Sequence, residues 1–144
     1  MNQTTGKHCI LELFECPSEL LDDEQFICRA INSAAEASGS TLLTLSSHKF
    51  SPQGVTALGL LAESHISIHT WPETGYAAVD AFTCGTHCDP VAACRLLTGL
   101  LEAKRQARTV LQRGRGVPLP VANMASNSSC EDTCIPMRPP AAYG

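Results

Sequence analysis

Four extended segments follow one another between two helical ones, and that order narrows the folds open to the chain. Thr41–Ser47 has the Thr and Leu content of a strand, and Val55–Ala62 is a short apolar run of the kind found in a buried strand. His65–Trp71 alternates, with Ile66 and Ile68 on one face and His65, Ser67 and His69 on the other. Tyr76–Cys84 sets Ala77, Val79 and Ala81 opposite Ala78, Asp80 and Phe82. Turns at Ser51–Gly54 and Pro72–Gly75 punctuate the block. Upstream, His8–Glu15 reads as a strand and Ser18–Ser38 as one helix, with Ile27, Ala30, Ile31, Ala34 and Ala35 at helical spacing and Gly39 as its stop. Downstream, Asp89 caps a second helix opened by Pro90, whose stripe is Val91, Cys94, Leu97, Leu101 and Lys104. Thr109–Gln112 is a last strand. The β-α-β-β-β-β-α-β order predicts an α+β two-layer sandwich, a mostly antiparallel sheet with two helices on one face. The other sheet face then needs cover, which points to a dimer.

The chain is long enough for one domain, and its 44% hydrophobic and 17% charged residues support a core. A net charge of -4 without a basic face argues against nucleic acid as a partner. No apolar run approaches the ~20 residues of a membrane helix. The polar N-terminus has no signal-peptide character, and Cys9, Cys28 and Cys94 lie in apolar stretches where a thiol is a small hydrophobe, so a reduced cytoplasmic protein is expected. From Gly114 the composition shifts to Pro, Gly, Ser, Asn and Ala. A domain over residues 1–115 is therefore expected, followed by a flexible tail over 116–144 that carries Cys130 and Cys134.

Reactive side chains concentrate between Glu63 and Cys88. His65, His69 and the run Cys84-Gly85-Thr86-His87-Cys88 have the ligand types of a zinc site, but the spacing matches no Cys/His finger and no CxxC pair occurs. Ser64 lacks the G-x-S-x-G setting of a hydrolase, and His65, its immediate neighbour, is poorly placed for a general base. The three lysines, Lys7, Lys49 and Lys104, all lie outside the cluster, which disfavours a lysine-bound pyridoxal phosphate. Carbonyl chemistry here needs an electron sink made from the chain itself.

The stretch Glu63-Ser-His-Ile-Ser-Ile-His-Thr-Trp-Pro-Glu-Thr-Gly-Tyr-Ala-Ala-Val-Asp-Ala-Phe-Thr-Cys-Gly85, with His48-Lys-Phe-Ser-Pro-Gln-Gly54 upstream, resembles the prokaryotic S-adenosylmethionine decarboxylase proenzymes. The resemblance covers roughly residues 7–115. It implies self-cleavage between Glu63 and Ser64 into a beta chain, 1–63, and an alpha chain, 64–144. The Ser64 hydroxyl attacks the Glu63 carbonyl, the resulting ester is lost by β-elimination, and a covalent pyruvoyl group remains. That group would form a Schiff base with the substrate amine and accept the electrons left by carbon dioxide. By the same resemblance His69 is the proton acceptor in processing and Cys84 the proton donor in catalysis. A flat strand would point Ser64 and His69 to opposite sides, so a turn or bulge is expected near Ser64.

The resemblance also implies S-adenosylmethionine as substrate, decarboxylated to the aminopropyl donor of spermidine synthesis, and a homodimer of cleaved protomers. Phe50 matches a position that stacks on the adenine, often across the dimer interface, and Glu73 an acidic residue near the ligand. Thr56 stands where the family commonly has a serine that assists processing; it keeps the hydroxyl on a stiffer side chain. No metal is implied. Two alternatives stand beside this reading: the same chemistry on arginine or ornithine, and a non-catalytic zinc-binding module.

Overall fold

The computed structural model describes residues 5–119; the tail positions from 120 onward, with Cys130 and Cys134, lie outside the described residues. Six strands form one sheet: β1 (Thr5–Phe14), β2 (Leu42–Lys49), β3 (Val55–Leu61), β4 (Ser64–Trp71), β5 (Tyr76–Cys84) and β6 (Arg105–Gly114). Their order is β2-β3-β4-β5-β1-β6, and all the pairings are antiparallel. β2 to β5 form a meander, and β1 then enters between β5 and β6. The α+β sandwich expected from the element order is the one observed.

Period-two alternation decides which side chains enter the core. Cys9, Leu11 and Leu13 of β1 are buried, as are Val55, Ala57 and Leu61 of β3, Ile66 and Ile68 of β4, and Ala77, Val79 and Ala81 of β5. Helices α2 (Glu24–Ser38) and α3 (Pro90–Leu100) cover this face, α2 over β2 to β4 and α3 over β1 and β5. Ile27, Ile31, Cys94 and Leu97 fill the layer between. Each fully buried Leu or Ile contributes about 1.5–3 kcal/mol of transfer free energy. Gly59 makes room for α2, because a Cβ there would lie 2.7 Å from Ile31 Cγ2.

Four element expectations are corrected. The single helix over Ser18–Ser38 is two, α1 (Ser18–Leu21) and α2. Both acids at the break turn outward from a continuous helix. Asp22 accepts from the Gly54 N–H at 2.8 Å and pairs with Lys49 at 2.8 Å, while Asp23 caps α2 by accepting from the Phe26 N–H at 3.0 Å. The second helix ends at Leu100, short of Lys104, because the Lys104 N–H already donates to Phe14 O at 3.2 Å in the sheet. β6 consequently starts at Arg105 and is longer than the expected Thr109–Gln112. Val55–Ala62 is buried on one face only: Leu58 and Leu60 are exposed, since among the described residues no element packs on the far side of the sheet. Among the described residues no helix is long and apolar enough to cross a membrane.

Candidate active site

The uncovered sheet face carries the reactive side chains. Ala62 and Glu63 form the turn of the β3–β4 hairpin, and Ser64, the first residue of β4, has φ of 149°. Such a value costs a residue with a Cβ about 1–3 kcal/mol and persists only where neighbours enforce it. The neighbours are present. The Glu63 carbonyl accepts the main-chain N–H of Cys84 at 2.9 Å. The Glu63 side chain accepts from the Thr41 N–H at 3.0 Å and lies 3.4 Å from His87 Nε2. The Thr41 amide, with help from His87, holds the Glu63 carboxyl below the usual carboxylate range against its partial desolvation. The bulge expected between Ser64 and His69 is absent, since β4 pairs in unbroken register from Ser64 onward; the irregularity is the φ of Ser64 itself, just after the hairpin turn, and Ser64 lines an open cleft of about 790 Å³.

Ser64, His65, Ser67, His69 and Cys84 all line that cleft. His69 lies across from Thr56 in the β3–β4 register, and its Nδ1 is 3.1 Å from Thr56 Oγ1. Cys84 ends β5 beside Glu63, exposed to solvent. Adjacent residues on a strand normally point apart, yet Ser64 Oγ is 3.4 Å from His65 Nδ1 because the unusual φ of Ser64 turns its side chain toward its neighbour. His65, expected to be poorly placed toward Ser64 because it is its neighbour, is thus brought within hydrogen-bond distance of it.

A polar network behind Ser64 escaped sequence reading. Asp80 Oδ2 receives His65 Nε2 at 2.9 Å and His8 Nε2 at 2.7 Å, and Asp80 Oδ1 accepts the Ser67 hydroxyl. Burial would raise the Asp80 pKa, but hydrogen bonds from Ser67, His65 and His8 together lower it. The signal for His8 was present in the alternation of β1, which puts it opposite Cys9, Leu11 and Leu13; nothing in one dimension linked it to Asp80. The His and Cys residues weighed as one zinc set fall into separate groups: His65 with His8 and Asp80, Cys88 with Glu63 and His87, and His69 with Thr56.

Two expected site residues lie elsewhere. Phe50 follows β2, half exposed, with its ring 4.6 Å from that of His48, and Glu73 sits in the turn after β4. Both are at the Trp71 end of the sheet, whereas Ser64 begins the same strand about 24 Å away at ~3.4 Å per residue. Neither is among the residues that line the cleft.

The model of the S-adenosylmethionine decarboxylase family matches residues 7–114. An S-adenosylmethionine decarboxylase proenzyme of Synechococcus sp. (strain WH7803) is 56% identical over 126 residues, 87% of this chain and 96% of that protein. Another, from Methanococcus maripaludis, is 49% identical over 76% of this chain and 89% of its own. The crystal structure of the adenosylmethionine decarboxylase from Aquifex aeolicus superposes with a TM-score of 0.71 at 33% identity, covering 88% of this chain and 99% of that one. The family match spans every described strand that builds the cleft, so the chain belongs to the S-adenosylmethionine decarboxylase family.

Proposed function

We propose that this chain is a pyruvoyl-dependent decarboxylase of S-adenosylmethionine that first cuts itself between Glu63 and Ser64 into chains 1–63 and 64–144. The observation that carries the reading is the hairpin geometry. The peptide bond to be cut sits in a tight turn, its carbonyl is held by the Cys84 N–H, and its serine is strained, lies 3.4 Å from His65 Nδ1 and shares its cleft with His69. An amide converts to an ester here because the turn favours attack by a neighbouring hydroxyl and because a main-chain donor is aimed at the oxygen that gains charge. Elimination of the ester then requires a base for the Ser64 α-proton. His69 has this role, and Thr56 orients it through the bond between Oγ1 and Nδ1.

The residues at the cleft suit the resulting group. Ser64 becomes its carbon skeleton, and the pyruvoyl carbonyl supplies a sink for the electron pair released with carbon dioxide. Cys84, exposed at the same edge of the cleft, returns a proton to carbon. Product release would give S-adenosylmethioninamine, the aminopropyl donor of spermidine synthesis. Phe50 and Glu73 bind the substrate from a second copy of the chain, as the family resemblance implies for Phe50, because neither lines the cleft of its own copy. The bare sheet face, with Leu58, Leu60 and Trp71 exposed on it, supports a homodimer of cleaved protomers. The cytoplasm is the proposed compartment, supported by the six free cysteines of the described residues.

Intact-mass analysis of the purified protein tests the first step. Two chains breaking at Glu63–Ser64, the second blocked at its N-terminus, are expected; a single active chain would refute the proposal. Carbon dioxide release from S-adenosylmethionine, compared with arginine and ornithine, tests the substrate.

A further inference from the structure

We propose that His65, oriented by Asp80, is the base that takes the Ser64 hydroxyl proton in the first step of self-cleavage, so that His69 serves only the later removal of the α-proton. The inference rests on the self-cleavage reading above and divides its proton transfers between two histidines.

Two protons leave Ser64 in that chemistry, from different atoms and at different times. The first leaves Oγ as it bonds to the Glu63 carbonyl carbon. The second leaves Cα when the ester is eliminated. His69 has its Nδ1 engaged by Thr56. His65 is the imidazole in contact with the nucleophile, with Nδ1 3.4 Å from Ser64 Oγ. A hydrogen bond of this length before reaction is typical of catalytic contacts that tighten as the reaction begins.

The tautomer is the right one. Ionised Asp80 can only accept, so His65 Nε2, at 2.9 Å, must carry its hydrogen. The lone pair of neutral His65 is then on Nδ1, facing the serine. Asp80 is itself immobilised, with Ser67 on one oxygen and His8 on the other at 2.7 Å. His8 is held in turn, its Nδ1 facing Arg113 Nη1 at 3.4 Å. Serine, imidazole and carboxylate stand in the order that serves acyl transfer in hydrolases. Here the acyl group belongs to the chain's own backbone.

The step balances without any outside reagent. The Oγ proton passes to His65 Nδ1 as the bond from Oγ to the Glu63 carbon forms, and the carbonyl oxygen takes the negative charge beside the Cys84 N–H. Collapse breaks the carbon–nitrogen bond, and the Ser64 nitrogen takes the proton back from His65. An ester and a free amine result, and His65 is neutral again.

The test separates the two steps by the state of the uncut chain. An ester at 63/64 is cut by neutral hydroxylamine and an amide is not. Expressed His65→Ala is expected to cleave about 100-fold or more slowly, with its uncut chain resistant to hydroxylamine and with cleavage partly restored by added imidazole. Asp80→Asn should slow the same step and also leave a resistant chain. His69→Ala should instead accumulate a chain that hydroxylamine cuts. If His65→Ala does not fold, as judged by circular dichroism, His65→Gln keeps a polar side chain of similar bulk and is read in the same way. A His65 variant that cuts at the wild-type rate, or that accumulates the ester as His69→Ala does, overturns the assignment alone. A wild-type chain that stays whole overturns the self-cleavage reading together with it.

Discussion

The main-chain N–H of Cys84 donates to the carbonyl oxygen of Glu63 at 2.9 Å, joining the end of β5 to the turn that precedes β4. One residue thereby presents two different groups to the cleft. Its amide faces the peptide bond proposed for cleavage, and its thiol is free to face a ligand.

This division predicts that Cys84 variants separate processing from turnover. In Cys84→Ser the amide remains, so cleavage at 63/64 should proceed while decarboxylation falls by about 10²–10⁴-fold for the loss of a positioned acid. Cys84→Pro removes the N–H and should slow cleavage itself by about 10²–10³-fold, the usual loss for one donor to a developing oxyanion. Gel separation of the two chains and a carbon dioxide assay read the two effects independently.

Ser64→Ala should abolish cleavage altogether, because no β-oxygen is left to attack the Glu63 carbonyl. Mass spectrometry should find one chain of 15.3 kDa. Any scission between residues 63 and 64 in this variant would place the nucleophile elsewhere.

Thr56 is tied to His69 by a 3.1 Å contact between Oγ1 and Nδ1. Thr56→Val keeps the shape and removes the hydroxyl, so processing should slow and an uncut, hydroxylamine-sensitive chain should build up. Thr56→Ser keeps the contact and should process at least as fast as the parent. Equal rates for all three chains would leave Thr56 a packing residue only.

Acid should weaken the fold partly through Asp80. Burial raises its pKa and the hydrogen bonds from Ser67, His65 and His8 more than offset this, so the folded value is depressed. A depressed folded pKa means that folding favours the ionised form. The stabilisation is full above the unfolded value of ~3.9 and is lost as pH falls from there through the folded value. Asp80→Asn should therefore show a flatter loss of stability in acid than the parent, measured by denaturant unfolding between about pH 5 and 3. Parallel acid limbs would mean that other carboxylates dominate.

The bare sheet face predicts self-association. Leu58 is 46% exposed and Leu60 47% exposed on this face, and covering such side chains would contribute roughly 25 cal/mol per Å². Leu58→Asp should shift the protein toward monomer in sedimentation velocity; unchanged association would put the contact surface elsewhere.

Much of this molecule was legible in one dimension because its rules are local. Alternation in β1, β4 and β5 assigned side chains to faces, Asp89 and Pro90 marked the start of α3, and Gly39, at φ of 74°, marked the end of α2. The cleft residues between Ser64 and Cys84 come from two adjacent strands of one hairpin and were read together for that reason. The helix break at Asp22 and Asp23 was not legible, since acids there equally suit the first turn of one longer helix. What decided it was Gly54, 32 positions away, whose N–H takes the Asp22 carboxylate. The full length of β6 was not legible because its burial is low along the whole strand and leaves little hydrophobic pattern.

By itself the sequence determined the α+β layering, the reactive segment and, through a long ungapped likeness, the family. These depend on local periodicity and on residue identity. Only the tertiary structure decided which groups meet across the sheet: the Cys84 amide with the Glu63 carbonyl, and His8 with Asp80, 72 positions apart. Such meetings are set by strand order and register, which come from packing the whole sheet against its helices. They also depend on the φ of 149° that turns Ser64 toward His65, a backbone state that a serine holds only when the surrounding fold imposes it.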